Sequence, residues 1–172
     1  MAVAGQAPIV NTQAGLQAIR EDMPRVLKAL GASSIEELGW TQPDELTLLV
    51  PLSASIDGAI DNYLLKLGFH YYREWPPSAQ FVNPDTKQYR WPGDQQCLPR
   101  LESAECHTHP HYTANTTGIQ LICCSATLEF YQVLHGVETQ HVWNGKSTFL
   151  TTLRAIERAM QTAYKGRFPH HG

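Results

Sequence analysis

The chain has 172 residues, which suffices for one domain with its own hydrophobic core. It is 42% hydrophobic and 17% charged, and its formal net charge of -3 without a basic run argues against nucleic-acid binding through phosphates. No apolar run approaches the roughly 18 residues of a membrane helix, and the N-terminus lacks the basic and apolar regions of a signal peptide. These features predict a cytoplasmic protein that binds neither nucleic acid nor membranes.

The first elements along the chain are an arm and a helix. Residues 1–11 have small side chains and no periodicity, which predicts a flexible arm. Apolar residues then recur at helical spacing from Thr12, a candidate cap, to Gly31, a candidate stop. Pro24 falls inside this pattern, so the helix is either kinked there or restarts with Asp22 as its cap.

A short helical turn and a set of strands follow the helix. The serines and glutamates of residues 33–37 are typical of a capped turn. Alternating or apolar strand segments then occur at residues 46–50, 63–69 and 79–82. Asp57-Gly58 marks a turn between the first two segments. Pro76-Pro77 ends the second segment, because proline cannot donate to a strand ladder.

The second half contains a long loop, a β-rich segment and a helix. Residues 83–112 are interrupted by proline and glycine, and a loop of that length in a compact domain is usually functional. Residues 118–134 predict one long strand or a hairpin broken near Ser125. Ser147 is a candidate cap for a final helix with an apolar stripe from Leu150 to Tyr164.

Together these elements predict an α+β fold. Its parts are an N-terminal helix, an antiparallel β-meander, a long active-site loop, an extra β segment and a C-terminal helix. A single domain is expected over residues 12–165, with a tail over residues 166–172.

The four cysteines are too few for a disulfide framework in a chain of this size, so they are expected to be free, metal-bound or catalytic. Cys97 stands in a polar, turn-rich stretch from Gly93 to Pro99, which predicts partial exposure. A reactive thiol needs such exposure, because a free pKa of about 8.5 leaves little thiolate at neutral pH. The opposing interpretation is that Cys97 packs as a small hydrophobe. Cys123 and Cys124 lie in an apolar segment and are predicted to be buried structural thiols.

The segment that ends at Cys97 resembles the core signature of ubiquitin-conjugating enzymes, the E2 or UBC-like family. In that family a tyrosine, a Pro-Pro pair and a downstream aromatic residue precede the active cysteine. The matching residues here are Tyr72, Pro76, Pro77, Phe81 and Cys97. Cys97 follows Pro77 by 20 positions, which is the usual separation in the family. The resemblance covers residues 12–165 and is nearest to divergent bacterial E2-like proteins of ubiquitin-like conjugation operons, for which antiviral defence is the expected setting.

The resemblance implies a transferase that requires no cofactor. Cys97 would accept a ubiquitin-like modifier as a thioester from an E1-like activating enzyme and pass it to an amine of a target protein. The His-Pro-Asn motif of the family is absent, because Lys87-Gln88-Tyr89 stands in its place. The role of its asparagine is therefore unassigned. The candidates for deprotonating the amine and stabilising the oxyanion are Tyr89, Asn83, His107 and His109.

A second cluster, Glu105, Cys106, His107 and His109, has side chains that can bind zinc. The spacing is not a standard zinc pattern, so a remote ligand would have to complete the site. The remote candidates are Cys97, His135 and His141. The composition is similar to that of a bacterial family predicted to bind metal through Cys, Glu and two His.

Three interpretations of this segment stay open: a zinc site, histidines that serve Cys97, and a solvated loop. The alternative function is accordingly a zinc-binding accessory module of a conjugation operon that has no conjugating activity. An inactive E2-like scaffold that only docks partners is a third hypothesis.

Overall fold

The computed structural model describes residues 10–114, 117–133 and 143–170, so most of the predicted arm lies outside the described residues. Within these ranges the chain has an α+β fold with antiparallel sheets, as predicted. Its helices and strands are α1 (Thr12–Ala29), β1 (Thr41–Asp44), β2 (Thr47–Ile56), β3 (Ala59–Gly68), β4 (Ser78–Val82), β5 (Pro99–Leu101), β6 (His107–Ala114), β7 (Thr117–Cys123), α2 (Leu128–Gln132), α3 (Phe149–Thr162) and β8 (Tyr164–Arg167).

Strands β1 to β4 form a four-stranded antiparallel meander in chain order. The long pair β2–β3 closes on the predicted turn, where Asp57 and Gly58 have φ values of 51° and 80°. Positive φ at both central residues is what a tight two-residue hairpin requires. Two smaller antiparallel pairs complete the sheets, β5 with β8 and β6 with β7.

The core lies between the inner face of the meander and the helices α1 and α3. Along β3 the side chains of Tyr63, Leu65 and Leu67 are buried while their neighbours are partly exposed, so the predicted alternation is confirmed. Phe149 and Ile156 of α3 are fully buried against this face. None of the helices in the described residues is long and apolar enough to cross a membrane.

Helix α1 runs through Pro24 without ending there. Its N-cap is Asn11, whose side-chain oxygen accepts the backbone N–H of Ala14 at 3.0 Å. The predicted cap Thr12 is instead the first helical residue. Asp22 lies inside the helix and is buried, so it is not a second cap.

Asp22 is bonded to the elbow between β3 and β4, residues 71–77. The Tyr72 hydroxyl donates to its carboxylate at 2.6 Å, and the Arg73 guanidinium lies 2.9 Å from it. The Tyr72 oxygen also accepts the backbone N–H of Phe149 at 2.9 Å, where α3 begins. One buried hydroxyl therefore connects α1, the elbow and α3.

Two predicted segments differ from the structure because distant partners determine their conformation. Residues 118–134 contain β7 but continue as α2 rather than as a strand. The buried Glu129 of α2 accepts hydrogen bonds from the Ser78 hydroxyl and from the Ala79 N–H (3.1 Å), which tie the helix to β4. The predicted loop 83–112 contains β5 and the start of β6, and Tyr164 lies in β8 rather than in the last helix.

Candidate active site

Cys97 ends a single 3-10 turn, Gln95–Cys97, which we call the Cys97 turn. The turn is closed by the Cys97 N–H, which donates to the Asp94 carbonyl at 2.8 Å. Gln95 and Leu98 on either side are buried, whereas Cys97 is partly exposed. All four cysteines belong to the described residues, and the other three are buried. Cys97 is thus the most exposed of the four cysteines.

Asn83 organises the loop that precedes the turn. Its side-chain oxygen accepts the Asp85 N–H at 2.9 Å, and its amide group donates to the Asp94 carboxylate at 2.9 Å. The second Asp94 oxygen accepts the Arg90 N–H at 2.7 Å. Asn83 therefore fixes both ends of the loop, and its amide donor is directed at Asp94.

Charged neighbours and burial determine the ionisation of Cys97. Burial raises the pKa of the Cys97 thiol, and the negative charge of Asp94 raises it further. The guanidinium of Arg167 acts in the opposite direction, and Asp85 adds a smaller increase. At neutral pH the sulfur is therefore mostly protonated, and a reaction at Cys97 requires loss of that proton.

Tyr89 lies close enough to Cys97 for their charges to interact. Its hydroxyl donates to the Pro110 carbonyl at 2.7 Å and so ties the loop to β6. Burial raises the pKa of Tyr89, and the negative charges of Asp94 and Cys97 add to that effect. Tyr89 is thus a neutral hydroxyl at physiological pH, and its proton is donated to the Pro110 carbonyl.

His107 and His109 are neighbours on one face of β6, with their ring centroids 5.0 Å apart. Thr108 lies between them, donates to the Pro99 carbonyl at 2.7 Å and accepts the Leu101 N–H at 3.0 Å. Adjacent residues of a strand point to opposite faces. The two histidines consequently point away from β5, the strand that follows Cys97.

The residues of the predicted zinc site do not converge. Glu105 is exposed, whereas Cys106 is buried and shares a hydrogen bond with Cys124. That hydrogen bond and burial raise the pKa of the Cys106 thiol, which opposes the deprotonation that zinc binding needs. Across the described ranges, no three His, Cys, Asp or Glu side chains are positioned to hold a metal ion. His135 and His141 lie outside those ranges.

An exposed aromatic residue, Trp91, lies on the loop before Cys97. Its side chain is 48% exposed, and its ring stacks on that of His111 with centroids 4.1 Å apart. The His111 ring in turn occupies the space where a Cβ on residue 118 would lie, so Gly118 is needed for this packing. The stack places a partly exposed indole ring on the loop that leads to the Cys97 turn.

Arg167 supplies a cationic group at the Cys97 turn that no feature of the sequence predicts. Arg167 donates to the Gln96 carbonyl at 3.1 Å, and its guanidinium lies 4.5 Å from the centre of the Tyr63 ring. The residue falls in the predicted tail, and its placement depends on the pairing of β8 with β5. No local periodicity signals a pairing between segments so distant in the chain.

No family model matches the chain, and comparisons with curated proteins and with solved structures give no significant match.

Proposed function

We propose that the protein is an E2-type conjugating enzyme with a UBC-like arrangement. Cys97 accepts a ubiquitin-like modifier as a thioester from an E1-like activating enzyme and transfers it to an amine of a target protein. The main supporting observation is that Cys97, alone among the four cysteines, is partly exposed and is fixed on a turn beyond the meander. The order of helix, meander, elbow, cysteine turn and helix supports the same proposal.

The chemistry requires two acyl transfers. In the first, the Cys97 thiolate attacks the carbonyl carbon of the modifier thioester, and the thiolate of the activating enzyme leaves. In the second, an amine attacks the Cys97 thioester, an amide bond forms, and the Cys97 thiolate leaves while the amine loses a proton. Sulfur suits both steps because it is a good nucleophile and a good leaving group.

The groups around the sulfur fit these two steps. The carboxylates of Asp94 and Asp85 lie within electrostatic reach of Cys97 and attract the cationic amine of a target lysine. Trp91 offers the kind of exposed aromatic surface that is enriched at protein interfaces. The proposed reaction uses no cofactor, and its proposed partners are the modifier, the activating enzyme and the target protein.

The test is a charging assay with the activating enzyme, the modifier and ATP. We expect wild type to form an adduct that a thiol reductant removes, and Cys97→Ser to form an oxyester adduct that resists it. Cys97→Ala should form no adduct, while the matched control Cys123→Ala, which alters a buried thiol, should charge like wild type. Full conjugation by Cys97→Ala, or one tightly bound zinc ligated by Cys97, would contradict the proposal.

A further inference from the structure

The C-terminal segment, residues 164–169, which we call the C-terminal strap, is bonded to the Cys97 turn on both sides. Strand β8 pairs with β5, immediately after the turn. The Phe168 N–H donates to the Leu98 carbonyl at 3.4 Å, and the Gln95 side-chain amide donates to the Pro169 carbonyl. The strap therefore holds the residues that flank the sulfur.

Arg167 is the residue of the strap that reaches the turn with its side chain. Its three nitrogens each donate at 3.1 Å, Nη1 to the Gln96 carbonyl, Nη2 to the Asn62 carbonyl and Nε to the Asp61 carboxylate. The guanidinium also lies over the Tyr63 ring. Because every nitrogen of the guanidinium has a hydrogen-bond acceptor, the group is held in one position.

The carboxylate that binds Arg167 is itself held by hydrogen bonds among Asp61, Tyr63 and Tyr164. The Asp61 carboxylate that binds Arg167 also accepts the Tyr164 hydroxyl at 2.5 Å. The hydroxyls of Tyr63 and Tyr164 share a further hydrogen bond of 2.5 Å. These hydrogen bonds connect the first half of β3 to the strap, so the position of the guanidinium is set by the sheet.

We propose that Arg167 is the positioning residue for Cys97, and that the C-terminal strap is part of the active site. This inference rests on the proposed function. Through the Gln96 carbonyl, Arg167 fixes the peptide that precedes Cys97. Its charge also stabilises the thiolate, both as the nucleophile that attacks the modifier thioester and as the leaving group when the amine attacks.

The first test measures Cys97 itself, without partners. Alkylation by iodoacetamide, followed at Cys97 by mass spectrometry across a pH series, gives the rate and the midpoint of thiol ionisation. Arg167→Gln removes the charge and should slow alkylation about fivefold below the midpoint and move the midpoint upward. Arg167→Lys should restore most of the rate. Arg158→Gln removes an exposed arginine of α3, outside the strap, and is expected to leave both readouts unchanged.

A variant that only weakened the fold would lower the melting temperature without moving the midpoint. Should Arg167→Gln fail to fold, Arg167→Met keeps the aliphatic stem against Tyr63 and tests the same loss of charge. An unchanged midpoint in a folded, uncharged variant overturns the inference.

The charging assay separates this inference from the proposed function. We expect Arg167→Gln to form the thioester about tenfold more slowly than wild type, with Arg167→Lys between them. If wild type charges normally but the midpoint does not move in Arg167→Gln, the inference fails and the function stands. If wild type never charges although the midpoint moves, the function fails while Arg167 still positions the thiol.

Discussion

At the scale of single residues, burial and two opposing charges determine the ionisation of the Cys97 thiol. Burial raises the pKa of the thiol most, Asp94 raises it further, and Arg167 lowers it. Asp94 also has a structural role, because its two oxygens bind the Asn83 amide and the Arg90 N–H. A useful substitution must therefore remove the charge and keep an acceptor.

Asp94→Asn removes the charge and keeps one of the two acceptor oxygens. Removing the negative charge favours the thiolate, so the pKa of Cys97 should fall and alkylation below that pKa should become about threefold faster. The measurement is the pH profile of iodoacetamide labelling at Cys97. Asp85→Asn serves as the control and should have a smaller effect, because Asp85 perturbs the thiol less. A slower reaction in Asp94→Asn would contradict this account of the charges.

At the scale of elements, the short helix α2 depends on one buried carboxylate. Glu129 accepts the Ser78 hydroxyl and the Ala79 N–H, and the Leu128 N–H donates to the Pro77 carbonyl at 3.1 Å. Burial raises the pKa of Glu129, and the two hydrogen bonds oppose this increase only in part. The folded state therefore binds the Glu129 proton more tightly than the unfolded state does.

The sign of the resulting pH dependence follows from linkage. Because the pKa of Glu129 is higher in the folded state, protonation of Glu129 stabilises the folded protein. This stabilisation is fully present below the unfolded pKa, about 4.3, and is lost as pH rises through the folded pKa. Glu129→Gln cannot titrate, so the free energy of unfolding of wild type should fall relative to this variant over that pH window. Urea denaturation at several pH values measures the difference. Glu74→Gln, at an exposed position of the elbow, should show no such trend.

The elements that the sequence predicts are those whose side chains repeat locally. The two-residue alternation of Tyr63, Leu65 and Leu67 predicts β3, and the helical stripe beginning at Leu150 predicts α3. Helix α2 and strand β8 have only five and four residues, so no periodicity develops in them. Their conformations are determined by partners elsewhere in the chain, β4 for α2 and β5 for β8.

The same distinction applies to the site. The partial exposure of Cys97 follows from the polar turn around it, whereas its role as the active cysteine stays a prediction from the family resemblance. Arg167 could not be predicted, because a strand pairing between distant segments brings it to the Gln96 carbonyl of the Cys97 turn. His107 and His109 have suitable chemistry, but strand alternation turns them away from β5.

At the scale of the whole molecule, the hydroxyl of Tyr72 joins the parts that enclose the core. It donates to Asp22 of α1 and accepts from the N–H of Phe149 at the start of α3. All three groups are buried, so no water replaces a lost partner. The indole N–H of Trp143 reaches the same elbow by donating to the Arg73 carbonyl at 2.9 Å. The elbow is thus a junction for packing between α1, α3 and the meander.

Tyr72→Phe keeps the ring in place and removes the hydroxyl that bonds to Asp22 and to the Phe149 N–H. The Phe149 N–H would lose its partner and Asp22 would keep only its bonds to arginine, so the free energy of unfolding should fall by about 2–3 kcal/mol. Because one hydroxyl serves three elements, we expect a single cooperative urea transition at a lower midpoint, followed equally by far-ultraviolet circular dichroism and tryptophan fluorescence. The control is Tyr71→Phe, which alters a partly exposed tyrosine of the same elbow and should change stability by less than about 0.5 kcal/mol. Equal losses in the two variants would show that the Tyr72 hydroxyl has no special role. Two separate transitions in Tyr72→Phe would show that α1 and α3 are held independently.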